Sequence, residues 1–290
     1  MRVLVTGTEG YLGSLLAPTL LAEGHEVTGL DTGYYKYGWL YNGVGETPHT
    51  LVKDIRDVEA DDLRGYNAIV HMAELSNDPI GDLIGEVTFD VNHKGSVHLA
   101  QCAKAAGVKR FVYMSSCSVY GIADGTVDES SPINPLTSYA KCKALVERDL
   151  IAMADDDFSP SFLRNATAFG ASPRMRFDIV VNVGSDDNNY TVREIAETVG
   201  NEFPGCTVTF GPPSADNRSY RVAFAKIHET FPEFKTEWNV ADGAAQLHRV
   251  FQSIDMDSAT FHGRGHTRLK QIEYLLRTGQ VDSQLFWRNP

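Results

Sequence analysis

Tyr139 and Lys143 stand four residues apart in Tyr139-Ala140-Lys141-Cys142-Lys143, a spacing that puts both side chains on one face of a helix. A free tyrosine, with a pKa of about 10, is a poor base at neutral pH. A neighbouring ammonium favours the phenolate and lowers that value. Such a pair is suited to exchanging a proton with a hydroxyl while a hydride moves at the same carbon. Ser116 lies 23 residues before Tyr139, just past an apolar run. From there it is placed to hydrogen-bond and polarise the reacting oxygen. Tyr139, Lys143 and Ser116 are the candidate catalytic residues.

Hydride chemistry needs a carrier, and the first residues offer a place for one. Gly7-Thr8-Glu9-Gly10-Tyr11-Leu12-Gly13 follows an apolar run and opens a helix-length segment. Without side chains at Gly7, Gly10 and Gly13 the loop turns tightly. The backbone N–H groups through Tyr11 and Leu12 can then meet a pyrophosphate at the positive end of the helix. Asp31 comes 18 residues after Gly13, at the end of the second apolar run. A carboxylate there accepts both ribose hydroxyls and repels a 2′-phosphate, which favours NAD over NADP. In Asp54-Ile55-Arg56-Asp57, Asp54 can meet the adenine amino group while the Ile55 N–H pairs with the ring; taken alone, the segment reads equally as a solvated turn. Lys143 would also hold the nicotinamide ribose, whose positive ring further favours the Tyr139 phenolate.

These residues require an ordered frame. Apolar runs at 3–6, 27–30, 50–52, 68–71 and 111–114 read as buried strands, with a further strand at 161–166. Helix-length segments at 12–22, 93–106 and 138–154 lie between them. Such alternation predicts an α/β fold, a Rossmann-type doubly wound parallel sheet covered on both faces. Beyond residue 186 the pattern predicts helices at 191–199, 226–231, 240–251 and 267–278, and a short strand at 206–210. Thr191 caps the first of these, with Glu194 three residues on. Leu269, Ile272, Leu275 and Leu276 share one face of the last. The chain divides into a cofactor domain, residues 1–170, and a smaller, shortened C-terminal substrate lobe, residues 171–290.

Bulk properties narrow the partners. The chain has 290 residues, 42% of them hydrophobic, and a formal net charge of −12. That balance argues against a nucleic acid partner. The four cysteines show neither C-x-x-C pairing nor metal-ligand spacing, so no metal is expected and free thiols are. No run approaches the roughly 20 apolar residues of a membrane span. The opening residues run straight into the glycine turn, which predicts a cytoplasmic protein.

Taken together, these motifs resemble an extended short-chain dehydrogenase/reductase of the NAD-dependent epimerase/dehydratase group, which acts on nucleotide sugars. The resemblance rests on the glycine loop, Asp31, Asp54-Ile55-Arg56-Asp57 and Val70-His71-Met72-Ala73. It continues through Asn92-x-x-Gly95-Ser96, Ser115 to Gly121, Pro135 before Ser138-Tyr139, and Leu163-Arg164 ahead of Phe169-Gly170. It implies roles for Ser116, Tyr139 and Lys143 in hydride transfer, and places His71 and Ala73 beside the cofactor. It further implies substrate contacts from Thr167 and from Arg218, whose guanidinium fork suits a nucleotide pyrophosphate. A UDP- or dTDP-sugar substrate follows. So does a homodimer packed through the helices at 93–106 and 138–154.

The chain also departs from the family. Sugar 4,6-dehydratases carry Asp-Glu directly after the catalytic hydroxyl residue; here Cys117 and Ser118 stand there, which argues against that activity. Cys117 reads as a buried small residue rather than an acid/base. Thr167 occupies the place of a usual Asn, with Asn165 two residues earlier. Finally, Ile179-Val180-Val181-Asn182 runs directly into Val183-Gly184-Ser185, which implies an internal deletion in the substrate lobe. The expected function is an NAD-dependent nucleotide-sugar epimerase or related oxidoreductase with Tyr139 as acid/base. The alternatives are an NAD-binding sensor or partner subunit with little catalysis, and a reductase of a non-sugar ketone.

Overall fold

Val3 and Val5 project to one face of the first strand and Leu4 to the other, and all three are buried. A strand buried on both faces belongs inside a covered sheet, and the computed structural model of the chain has one. It describes residues 1–36, 45–76, 84–166, 180–211 and 219–288. The strands are β1 (Arg2–Thr6), β2 (Glu26–Asp31), β3 (His49–Val52), β4 (Ala68–His71), β5 (Arg110–Ser116), β7 (Ser159–Asn165) and β8 (Val180–Val183). They form one sheet in the order β3-β2-β1-β4-β5-β7-β8, and every pairing is parallel. The connection reverses direction between β1 and β4. A crevice for ligands therefore opens at their carboxyl ends.

Helix α1 (Gly13–Ala22) covers one face, where Ala17 packs with Val3, Val5 and Val27. On the other face lie α3 (Ser96–Ala105) and α4 (Ser138–Ile151). Their Leu99, Ala100, Ala103, Val146 and Leu150 pack with Leu4, Ile69, Phe111, Tyr113 and Phe162. The helix expected at 93–106 begins earlier than its sequence suggests. It starts as α2 (Gly85–Phe89) and runs through a wider π-type stretch, Asp90–Gly95, into α3. There Asn92 turns inward to clasp the backbone N–H and carbonyl of Leu75 at 2.8 and 3.0 Å. The helix expected at 138–154 ends three residues sooner, at Ile151.

In the second half, α5 (Val192–Glu202) starts at Thr191 with the reciprocal Thr191–Glu194 cap. The helices α6 (Ala225–Thr230), α7 (Val240–Ser253), α8 (Ser258–Phe261) and α9 (Arg268–Arg277) follow. The strand expected at 206–210 is absent. Those residues are exposed and pair with no strand among the described residues, so their backbone groups have no ladder to join. A small parallel sheet not foreseen from the sequence pairs β6 (Ile122–Val127) with β9 (Ser219–Val222). Among the described residues no helix is long and apolar enough to cross a membrane.

The chain end returns to the cofactor side of the main sheet. Ile272 and Leu275 of α9 are buried with Tyr34, Leu75, Val87, Val281 and Leu285. The Tyr34 hydroxyl donates to the Leu285 carbonyl. The Trp287 indole N–H donates to the Thr32 carbonyl at 2.8 Å. Arg56 donates to the Gln284 carbonyl at 2.9 Å.

Candidate functional site

The glycine loop is built as its spacing requires. Gly7 has φ +77°, a left-handed conformation that costs a residue with a Cβ. A Cβ at Gly13 would lie 2.0 Å from the Gly7 carbonyl oxygen, so only glycine lets α1 start so close to the turn. A Cβ at Gly7 would fall 2.9 Å from the Ala73 nitrogen, which locks the β1 turn against the β4 turn. No acidic side chain occupies the first turn of α1, so its N-terminal partial charge is not neutralised there. This cradle fits a dinucleotide. Gly13→Ala is expected to weaken NAD binding at least tenfold and to cost about 1–3 kcal/mol of stability. Isothermal titration and thermal melting measure the two.

Asp31 sits at the end of β2, buried, accepting from the backbone N–H groups of Glu9 (3.0 Å) and Gly33 (2.8 Å). Burial raises its carboxyl above the usual range, against the pull of those two N–H groups. The loop, Asp31, Asp54, Ile55, Ala73, Ser116, Tyr139 and Lys143 all line one cleft of about 890 Å³, a normal size for a small-molecule site. Asp54 is already engaged: its carboxylate accepts from the Arg56 backbone N–H, Nε and Nη2 at 2.9, 3.0 and 2.7 Å. An adenine contact there must share those oxygens.

His71 is not brought to the cleft wall. It is fully buried, and Thr6 Oγ1 and Ser96 Oγ meet its two ring nitrogens at 2.7 and 2.8 Å. Ser96 gives its proton to the Asn92 carbonyl, and Thr6 Oγ1 accepts from the N–H groups of Met72 and Ala73. That network assigns the proton to Nε2 and makes Nδ1 the acceptor. Burial, with Lys143 nearby, pushes the imidazole down to about 3, so it stays neutral. What His71 does is hold Thr6, which in turn orients the Met72–Ala73 turn toward the cleft.

Thr137 caps α4 by accepting from the Ala140 N–H at 3.2 Å, so Tyr139 falls in the first turn. Its side chain shares the cleft with Ser116, at the end of β5, and Lys143, both of which pull its phenol down. Lys143 is buried, donates to the Met114 carbonyl, and lies 4.6 Å from the Tyr113 ring centroid and 5.2 Å from that of Tyr139. Glu74, which no sequence motif singled out, completes the cluster. It is buried against Lys143 as an ion pair and accepts from the Tyr113 hydroxyl at 2.5 Å. Burial works against a charge on Lys143, but Glu74 and Tyr139 together outweigh it and raise the ammonium's pKa. Tyr139 departs from the sequence expectation. Burial raises its phenol, Lys143 pulls it down, and Glu74 pushes it up again, so the net shift is upward.

Cys117 is buried outside the cleft wall, donates to the Arg164 carbonyl at 3.1 Å, and has its thiol pushed up to about 12 by burial. That suits a packing residue. Asn165 lines the cleft at the end of β7. Thr167 and Arg218 lie outside the described residues, as do Phe169, Gly170 and residues 171–179. The upper wall comes from the C-terminal half: Leu247, Val250, Phe251, Met256, Phe261 and Arg268.

Residues 3–182 match the profile of the NAD dependent epimerase/dehydratase family. The chain belongs to that family. NAD is the family's cofactor, and the sheet, glycine loop and Asp31 of this chain provide a site that fits it. A UDP-glucose 4-epimerase of Lactobacillus helveticus is 33% identical over 182 residues, covering 59% of this chain and 53% of the relative. Sterol demethylase protein B of Methylococcus capsulatus is 35% identical over 158 residues, covering 53% and 47%. The chain thus spans about half the length of the curated relatives it matches. Among solved structures, MoeE5 in complex with UDP-glucose and NAD has the same fold. Its TM-score is 0.73 at 21% identity, over 88% of this chain and 100% of that one.

Proposed function

We propose that this family member is an NAD-dependent epimerase or related oxidoreductase of nucleotide sugars, with Tyr139 as its acid/base. The observation that carries the reading is the convergence of Tyr139, Ser116 and Lys143 on one cleft with the glycine loop. NAD, when bound, supplies reversible hydride acceptance from a carbinol carbon. Tyr139 takes the proton of that carbon's hydroxyl as the carbonyl forms and returns it as the carbonyl is reduced. Ser116 hydrogen-bonds the same oxygen, and Lys143 holds the phenolate electrostatically. For epimerisation the keto sugar must turn and be reduced on its other face. The relatives named as UDP-glucose 4-epimerases support a UDP-type substrate. Conversion of a UDP- or dTDP-hexose with NAD, followed by NMR, tests the proposal.

The apolar upper wall supports a second reading, a non-sugar ketone or alcohol, as does the relative named sterol demethylase protein B. Running the same assay with a sterol ketone separates the two. The division at residue 170 and the homodimer belong to the same proposal. Helices α3 and α4 pack against one another on the outer face, and Ile151 at the end of α4 is 53% exposed. Sedimentation analysis at micromolar concentration decides the assembly.

Glu74 has a measurable consequence. Around Tyr139 stand Lys143 as cation and Glu74 as anion, with Tyr113, Glu147 and the neutral His71 behind them. Glu74→Gln removes a carboxylate that raises the Tyr139 phenol electrostatically. The limb of the kcat/KM profile on which activity rises with pH is expected to move to lower pH. A limb that stays in place would show that Tyr139 does not govern it.

A further inference from the structure

Arg268 is the first residue of α9 and lines the cleft opposite the glycine loop. Its guanidinium lies 3.9 Å from where a Cβ on Gly10 would stand. One Nη donates to Ser76 Oγ at 2.7 Å, and the guanidinium carbon is 5.1 Å from the Tyr35 ring centroid. Its charge also reaches Asp31, pulling that carboxyl down against burial. The two lysines of the cleft wall are taken: Lys53 is paired with Asp62 at 2.6 Å, and Lys143 with Glu74. Among the described residues no carboxylate lies within 4.0 Å of the Arg268 guanidinium. Ser76 uses one of its five donors, which leaves capacity for an anion.

We propose that Arg268 is the cation that meets the pyrophosphate of the dinucleotide, so that the C-terminal helix latches the cofactor into the glycine loop. The inference rests on the cofactor reading above and adds to it a residue outside the segment that matches the family profile. A pyrophosphate entering here passes Asp31 and Glu9, both acidic, in a chain of net charge −12. The N-terminus of α1 offers only partial positive charge. A planar guanidinium supplies a full charge and paired donors. Its position is firm because α9 is anchored behind it. Ile272 and Leu275 are buried, and Gln271 donates to the Tyr34 carbonyl at 2.9 Å. Tyr34 in turn holds Leu285, so the latch, the loop after β2 and the chain end form one unit.

Isothermal titration of the full chain with NAD, ADP-ribose, adenosine and NADP tests this, using wild type, Arg268→Gln and Arg268→Lys. NAD and ADP-ribose carry the pyrophosphate; adenosine does not. Arg268→Gln is expected to weaken NAD and ADP-ribose about 10- to 100-fold. Adenosine should stay within about twofold, which also reports an intact fold. Arg268→Lys keeps the charge and is expected to recover most of the loss. Equal losses for all ligands, or no loss for NAD, would overturn the latch. A loss confined to NADP would assign the guanidinium to a 2′-phosphate and overturn it too. If wild type binds neither NAD nor ADP-ribose, the cofactor reading falls and this inference with it.

Discussion

Tyr139→Phe is expected to lower kcat on a nucleotide sugar by about 10²- to 10⁴-fold while leaving the NAD dissociation constant nearly unchanged. The substitution deletes one oxygen and the proton it carries. The ring remains half-buried beside Lys143, so packing is retained. Ser116 cannot replace the base, because its oxygen already accepts from the Ser118 N–H at 3.1 Å and an unperturbed hydroxyl holds its proton too tightly. Glu74 is directed away from that task by Lys143 and Tyr113. Steady-state kinetics beside an NAD titration measures both quantities. Full activity in the Phe variant would remove Tyr139 from the proton step.

Glu147→Ala is expected to have the largest effect on stability, about 3–5 kcal/mol. Its carboxylate lies under the site, bonded by Arg164 through Nε at 3.0 and 3.3 Å and Nη2 at 2.6 Å, and by the Ser115 hydroxyl at 2.5 Å. The side chains of Arg164 and Glu147 are only 8% and 5% exposed, so the loss would strand a buried guanidinium. Arg164 also donates to the Tyr120 hydroxyl at 3.0 Å, and Tyr120 to Asn182 Oδ1 at 2.8 Å. One network thus ties α4, β5, β7 and β8 together beneath Ser116 and Tyr139. A melting temperature lower by on the order of 10 °C is the expected readout. Pairing Glu147→Leu with Arg164→Met should recover much of it, since no charge is then left unpaired. A loss below about 1 kcal/mol for Glu147→Ala would contradict this account of the pair.

The difference between what was and was not legible in the sequence is physical. Strands β1, β2, β4 and β5 are covered on both sides, so their apolar runs stand out and the glycine loop between β1 and α1 is fixed by local geometry. Strand β6, Ile122-Ala123-Asp124-Gly125-Thr126-Val127, mixes polar and apolar residues and is defined by a partner almost a hundred residues away. The apolar residues Val208 and Phe210 suggest a strand, yet both are exposed and Phe210 sits beneath the Arg193 guanidinium at 4.0 Å. Glu74 was hidden for the same reason. A carboxylate after an apolar strand reads as a solvated turn until Tyr113 and Lys143 are seen to close over it. Its only local signal was position, one residue past Ala73 at the carboxyl edge of β4. The return of α9 to the cofactor side depends on contacts such as Tyr34 to Leu285, 251 residues apart, which no local pattern encodes.

In the proposed function, the cleft moves a hydride reversibly at a nucleotide sugar, with Tyr139 handling the proton. Rapid mixing of the NAD-loaded protein with a panel of UDP- and dTDP-hexoses tests it most directly, with reduced-cofactor absorbance and product NMR read together. A reduced-cofactor signal with at least one sugar, a matching epimer or keto product, and loss of both in Tyr139→Phe are expected. Stoichiometric NAD binding with no reduced signal and no altered sugar across the whole panel would contradict it.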